Sequence, residues 1–252
     1  NWSRQSADTI ITDIKKVFVN KLSDNNQVKI TCNDIKGKGT LTLPMALPAH
    51  DHAAVLYYPM PNKDLRTVAL TMLTNQLLSP IFFQEMRTVK QYGYLVGVGF
   101  IPINRYPGIA FYIQSPHTDS VTLTIAMNEF IARSSDFIDQ LPAEHWQHLQ
   151  HGLASQLQEK DSNLRIKSQR YWAAICNKEP SFNQKSKLIS IIENLSIEDV
   201  AEFIMTVFNQ AQNTDCLSLL SYESRQQLKE MTKNYAIKND EETLLKICQR
   251  KY

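Results

Sequence analysis

The chain is predicted to fold as an α+β protein in which one sheet packs against one layer of helices. Strand-like runs are concentrated before residue 118 of the 252, helical periodicity dominates after it, and one further strand-like run follows at 216–223. Strands and helices that are segregated along the chain are typical of the α+β class. The length is sufficient for one large domain or two small ones, with a core that needs no disulfide or metal.

Charge and composition exclude several classes of protein. The 27 Lys and Arg residues against 25 Asp and Glu residues give a net charge of +2, without the basic excess of nucleic-acid-binding proteins or basic membrane anchors. No apolar run reaches the roughly 18 residues that a membrane-spanning helix needs. With 7 Gly and 10 Pro, collagen-like and disordered chains are also excluded. We therefore expect neither nucleic acid nor membrane as a partner.

The cysteines are predicted to be free thiols. The sequence contains four of them, Cys32, Cys176, Cys216 and Cys248, and no CxxC pair. This is too sparse for a disulfide scaffold, and the spacing fits no structural zinc site.

Before residue 80 the pattern predicts a helix, two strands and a second helix. Apolar residues at helical spacing indicate an amphipathic helix over 3–22. Runs 40–45 and 52–60 are typical of strands and are compatible with an antiparallel hairpin. A helix over 62–78 follows, with Asn62 as its N-cap.

Pro80 is predicted to end this helix and start another. Ser79 followed by Pro80 fits an N-cap with proline in the first helical turn, so a short helix is expected over 80–90. Runs 94–103 and 108–115 flank a turn-like NRYPG sequence and predict a second hairpin.

The rest of the chain is predicted to be mostly helical. Helical periodicity covers 121–141, 142–160, 163–177, 184–194, 197–209 and the tail 224–250, with the strand-like run 216–223 between the last two. Ser196 and Asp199 resemble a capping box at the start of one of these helices.

Two histidine clusters are candidate catalytic or metal sites. His145, His148 and His151 fall at spacings of three on a predicted helix and fan across its surface, so a solvated helix face is the favoured interpretation. His50 and His52 flank Asp51, but no nucleophile motif accompanies them, which favours a polar loop. Neither HExxH nor its inverse HxxEH occurs, so no catalytic zinc motif is present in this chain.

Arg87 and Tyr94 are the strongest candidates for a binding site. They flank a predicted helix-to-strand turn, with Gly93 directly before the tyrosine. A guanidinium offers a fork of donors to a peptide carbonyl, and a phenol donates to a second oxygen. Taken alone, the pattern favours the structural interpretation, which is an arginine at a helix end and a half-buried strand tyrosine.

The segment around these residues resembles the pitrilysin/insulin-degrading-enzyme (insulinase) family of zinc metallopeptidases. Its sequence FQEMRTVKQYGYLV (83–96) is similar to the family pattern F-x-x-L-R-T-x-E-Q-L-G-Y-x-V. FYIQS (111–115), RYWAAI (170–175) and LSIEDVAEFIMTVF (195–208) continue the resemblance in order. Lys90 departs from the family glutamate, which inverts a charge near the site.

The resemblance implies the fold and role of the chain. It implies the two-layer sandwich of the LuxS/mitochondrial-processing-peptidase-like metallohydrolases, with an antiparallel sheet against helices. Residues 31–252 would form a non-catalytic C-terminal domain, and residues 1–30 the terminal helix of a preceding domain plus a linker. Arg87 and Tyr94 would bind the substrate backbone. Zn²⁺ would be held outside this chain, by the N-terminal half of the same protein, which encloses peptide substrates with this half.

Two alternatives and the compartment stay open at this point. The chain fits an inactive scaffold subunit of a processing-peptidase-like complex, whose missing half would also lack zinc ligands. A self-contained hydrolase that uses either histidine cluster is the other alternative. The resembling bacterial enzymes are often periplasmic, whereas the four free cysteines favour a cytoplasm.

Overall fold

The computed structural model describes residues 3–18, 32–46, 51–177, 182–208, 214–234 and 249–251. The strands in these ranges are β1 (Cys32–Asp34), β2 (Thr40–Ala46), β3 (His52–Pro59), β4 (Leu95–Phe100), β5 (Gly108–Ser115), β6 (Cys216–Tyr222) and β7 (Gln249–Lys251). The helices are α1 (Arg4–Phe18), α2 (Leu65–Phe83), α3 (Ser120–Ala132), α4 (Asp136–Asp139), α5 (Ala143–Gln158), α6 (Leu164–Cys176), α7 (Gln184–Asn194), α8 (Ile197–Phe208) and α9 (Arg225–Asn234). A π-helical segment, Gln84–Val89, continues directly from α2.

Five strands form the main sheet in the order β2-β6-β3-β5-β4. The α+β prediction is confirmed, but the sheet is mixed and not antiparallel throughout. β2 runs parallel to β6, while all other neighbouring strands in this sheet pair antiparallel. The proposed hairpin of 40–45 with 52–60 is wrong, since β6 lies between β2 and β3. Both faces of this central strand are covered by apolar side chains, since Leu220 joins the main core and Leu217 packs against a second cluster.

The second predicted hairpin is confirmed. β4 and β5 pair antiparallel from Leu95 opposite Gln114 to Phe100 opposite Ile109. The chain reverses through Asn104 and Arg105, which both take positive φ angles. β4 has one partner in the sheet, so it is an edge strand.

Aromatic rings organise the core between the sheet and the helices. Phe111 of β5 lies at its centre and has edge-on contacts with Phe82 at 5.4 Å and with Phe208 at 5.7 Å between ring centroids. Phe82 in turn meets Phe130 edge-on at 5.0 Å. Edge-to-face pairs of this kind contribute beyond the apolar area that they bury. They fix α2, α3 and α8 on one face of the sheet.

Helix α2 runs through Pro80 without a break, so the predicted second helix starting there is wrong. Its N-cap is Asp64, whose carboxylate accepts from the backbone N–H of Thr67 at 2.9 Å, rather than Asn62. Proline inside a helix removes one backbone bond and costs about 3 kcal/mol. Leu77, Leu78 and Phe82, all buried around this turn, hold the helix on the sheet despite that cost.

Other boundaries differ in detail from the prediction. The predicted helix 121–141 is divided into α3 and the short α4. The capping box is confirmed: the backbone N–H of Ser196 donates to the Asp199 carboxylate at 2.9 Å, and that of Asp199 donates to the Ser196 hydroxyl at 3.2 Å. α1 confirms a helix as far as residue 18, and the predicted residues 19–22 lie outside the described part.

The end of the chain also departs from the prediction. α9 confirms a helix up to Asn234, whereas residues 249–251 form β7, which pairs antiparallel with β1. A helix reaching residue 250 is therefore wrong, because tertiary pairing with Cys32–Asp34 overrides the local pattern. Residues 235–248 lie outside the described ranges. Among the helices that are described, none combines the length and the apolarity needed to cross a bilayer.

The three cysteines within the described ranges are free thiols, as predicted, and Cys248 lies outside them. Cys216 is buried in β6, and burial raises the pKa of its thiol to about 12. Because a thiol rather than a thiolate then faces the core at neutral pH, Cys216 is a packing residue and not a nucleophile.

Candidate functional site

The π-helical segment after α2 positions the first candidate residue, Arg87. Its ladder is wider than that of an α-helix: the backbone N–H of Lys90 donates to the carbonyl of Glu85 at 2.8 Å. Met86, fully buried, anchors the segment in the core, while Arg87 on the next position is exposed. Isolated π-helical turns are rare and occur frequently at functional sites. The sequence predicted a helix here but not its π geometry.

A network of ion pairs connects the π-helical segment to the helical layer. Arg133 of the helical layer donates to both carboxylate oxygens of Glu85, at 2.8 and 3.0 Å. The ammonium of Lys90 lies 3.2 Å from Glu85 and 4.0 Å from Glu129. The charge that departs from the family pattern is thus paired within the domain. Lys90 supports the π-helical segment and does not present a free cation to a ligand.

Gly93 lets the chain approach β5 closely just before the second candidate residue, Tyr94. A Cβ atom at position 93 would overlap the backbone carbonyl oxygen of Gln114. Just before it, Gln91 adopts a φ of +53°, which redirects the chain from helix to strand. Only glycine fits where the two backbones approach so closely. The glycine of the motif therefore has a steric cause.

Tyr94 is 86% exposed and lies one residue before β4 begins. The alternative of a half-buried strand tyrosine is therefore wrong. A hydroxyl on so exposed a ring is available to a ligand.

The structure brings Arg87 and Tyr94 together. The guanidinium carbon of Arg87 lies 5.8 Å from the ring centroid of Tyr94 and 4.8 Å from that of Phe83. Arginine stacked on aromatic rings is held in place while its in-plane N–H groups stay free to donate. The sequence analysis missed Phe83, although its position four residues before Arg87 on a helix was the available signal.

The histidine candidates are not brought together in a reactive arrangement. His145, His148 and His151 are all exposed on α5, and no group of metal-ligating side chains is found among the described residues. Asp51 accepts from the Gln114 side-chain amide at 2.8 Å, while His52 lies 3.9 Å from Glu223. Aspartate and histidine thus have different partners. His50 lies outside the described residues.

Residues 73–172 match the family model of the PQQ synthase PqqF-like protein, C-terminal lobe domain 4. A nardilysin-like protein of Arabidopsis thaliana is 26% identical over 187 residues, which are 73% of this chain and 18% of that protein. The homologues of this chain are zinc proteases of the pitrilysin/insulinase family. The chain spans about a fifth of the length of these curated relatives.

Solved structures from the pitrilysin/insulinase family share the fold. The crystal structure of pitrilysin matches with a TM-score of 0.73 and 17% identity, covering 89% of this chain and 24% of that chain. A peptidase M16 inactive domain from Pseudomonas fluorescens matches with a TM-score of 0.62 and 16% identity, covering 88% of this chain and 52% of that chain. The predicted two-layer α+β fold is therefore confirmed.

Proposed function

We propose that this chain is the non-catalytic, substrate-binding C-terminal domain of a zinc metalloendopeptidase. The observation that carries the proposal is the proximity of Arg87, on the π-helical segment, to Tyr94, which lies just before β4. No metal-binding group exists among the described residues, and the family's HxxEH motif is not in the sequence. The residues here do not fit Zn²⁺, so we assign the metal and the activated water to the N-terminal half of the same protein.

Arg87 and Tyr94 then act on the backbone of a bound peptide. The guanidinium N–H groups of Arg87 donate to a carbonyl oxygen of the peptide, and the Tyr94 hydroxyl donates to the oxygen that gains charge during attack. Phe83 and the Glu85 network fix these donors before the substrate arrives. Donors that are already oriented stabilise the transition state without reorganisation.

The test is peptide hydrolysis by the whole protein that carries Arg87→Ala or Tyr94→Phe. Each variant should lower kcat/KM about a hundredfold or more, the effect of losing one such donor. Zinc content and the unfolding midpoint should not change. Unchanged hydrolysis would show that the pair is structural. If the unaltered whole protein holds no zinc and cleaves no peptide, the inactive scaffold role replaces the proposed one.

We also propose that residues 1–30 belong to a preceding domain and that residues 31–252 form the domain discussed here. Along α1 the side chains of Ile11, Ile14 and Val17 are 48%, 52% and 67% exposed, as expected for a helix without its packing layer. A helix of this length is marginal on its own in water. In the 252-residue chain, amide hydrogens of α1 should exchange many-fold faster than those of α2. Equal protection in the two helices would contradict the boundary.

A further inference from the structure

Helix α6 carries an apolar stripe that nothing in the described part of the chain covers. None of its 13 residues, all of them described, is buried. Leu164, Trp172 and Ile175 share one face at helical spacing and are 72%, 66% and 54% exposed. A helix of this length is marginal on its own in water and depends on packing. An exposed apolar stripe of this size indicates a surface that another part of the protein covers.

Helix α1 carries a second stripe of the same kind. Its exposed apolar residues Ile11, Ile14 and Val17 follow helical spacing over 15 residues, a length close to that of α6. Two amphipathic helices of similar length thus occur in one chain, each with an apolar face left exposed. Each face is the kind of surface that the other helix can cover.

The connection from α1 enters the domain near the C-terminal end of α6. The thiol of Cys32, at the start of β1, accepts from the side-chain amide of Asn104 at 3.7 Å. The next residue, Arg105, donates to the carbonyl of Asn177, which caps α6. Two contacts therefore lead from the start of β1 to this end of α6. Since α1 precedes β1, the shortest connection places the C-terminal ends of α1 and α6 side by side.

The charges on the two helices fit the same parallel arrangement. With the C-terminal ends level, Asp8 of α1 lies beside Lys167 of α6, because both are about three helical turns from the ends of their helices. Lys15 and Lys16 then lie at the carbonyl end of α6, which carries partial negative charge. An antiparallel arrangement would instead bring these two lysines beside Lys167, as like charges.

We infer that in the whole protein α1 packs in parallel on the exposed stripe of α6, so that α6 is the docking surface for the preceding domain. The inference rests on the proposed domain boundary and goes beyond it, because it names the two faces in contact and their direction. A second copy of α6 is a poorer occupant of the stripe, since it would bring the basic residues Arg165 and Lys167 of the two copies together.

The experiment measures how fast N-ethylmaleimide modifies Cys176 in the whole protein. This thiol is exposed on α6 next to Ile175, and mass spectrometry of the digested protein distinguishes it from the other cysteines. Ile14→Asp should speed its modification about tenfold, because an unpaired charge in the contact separates the helices. Thr12→Asp adds the same charge to the opposite face of α1 and should leave the rate unchanged. Equal rates in these two variants and the unaltered protein overturn the inference.

A charge exchange tests the direction of packing. Asp8→Lys and Lys167→Glu should each speed the modification of Cys176 about twofold, the effect of one exposed ion pair. The double variant should restore the rate of the unaltered protein. A double variant that reacts as fast as the single variants contradicts the parallel arrangement.

The outcomes separate this inference from the earlier proposals. If Cys176 reacts equally in all variants while hydrolysis depends on Arg87, the docking inference fails and the proposed function stands. If Ile14→Asp speeds the modification but α1 and α2 exchange amide hydrogens equally in the 252-residue chain, the docking stands and the domain boundary fails.

Discussion

Replacing Gly93 with alanine is expected to destabilise the domain by about 3 kcal/mol and to remove substrate binding. The new methyl group would overlap the backbone carbonyl oxygen of Gln114. A backbone atom inside a paired sheet cannot move away as a flexible side chain does. The start of β4 must therefore separate from β5, which displaces Tyr94 from Arg87. Urea unfolding of the 252-residue chain and peptide hydrolysis by the whole protein measure the two effects.

Gly152 provides the matched control for this substitution. It lies in the middle of α5, and a Cβ atom there would meet nothing within 4 Å. Gly152→Ala should therefore stabilise the chain by about 0.5–1 kcal/mol, the usual gain for alanine over glycine in a helix. A Gly93→Ala protein as stable as the unaltered chain would contradict the close approach of the two backbones.

The adjacent residues Phe82 and Phe83 are expected to give opposite results when each is changed to alanine. Phe82 is fully buried against Phe111 and Phe130. Phe82→Ala should cost about 3–5 kcal/mol and lower the thermal midpoint by about 10 °C. Phe83 is 38% exposed and stacks on Arg87. Phe83→Ala should cost no more than about 1 kcal/mol of stability, the size of its contact with Arg87.

The Phe83 variant should instead affect function. Loss of a partly exposed cation–π contact of about 1 kcal/mol predicts a fall of about fivefold in kcat/KM of the whole protein, because Arg87 is less well fixed. Circular dichroism melts and steady-state kinetics on both variants separate the two roles. A Phe83→Ala enzyme with full activity and a lowered melting point would show that this ring only packs.

Local patterns predicted much of the fold, because each depends on neighbours in the sequence. The β4–β5 hairpin, the capping box of α8 and the pairing of Arg87 with Tyr94 all depend on residues only a few positions apart. The helix break predicted at Pro80 was wrong, because burial of α2 outweighs the cost of the one backbone hydrogen bond that proline removes. The residue pattern alone favoured a structural role for Arg87 and Tyr94, and only the family resemblance indicated a binding site.

Features that depend on distant residues were not predicted. Nothing in 40–60 indicates that β6 will separate β2 from β3, and nothing in 249–251 indicates pairing with β1. The π-helical segment 84–89 is held by contacts from distant residues: Met86 is buried in the core, and Arg133 of the helical layer donates to Glu85. The sequence showed Lys90 only as an inverted charge near the site, and its partners Glu85 and Glu129 come from the structure.

The insertion of β6 between β2 and β3 has a consequence for how the protein is made. β2 and β3 leave the ribosome together, but the strand that joins them is synthesised about 160 residues after β3, at 216–222. Until then the nascent chain presents two complementary open edges, which are templates for mispairing with other chains. Long-range closure of this kind also slows folding. Molecular chaperones that shield emerging strands should therefore matter more to the yield of this domain than to its final stability.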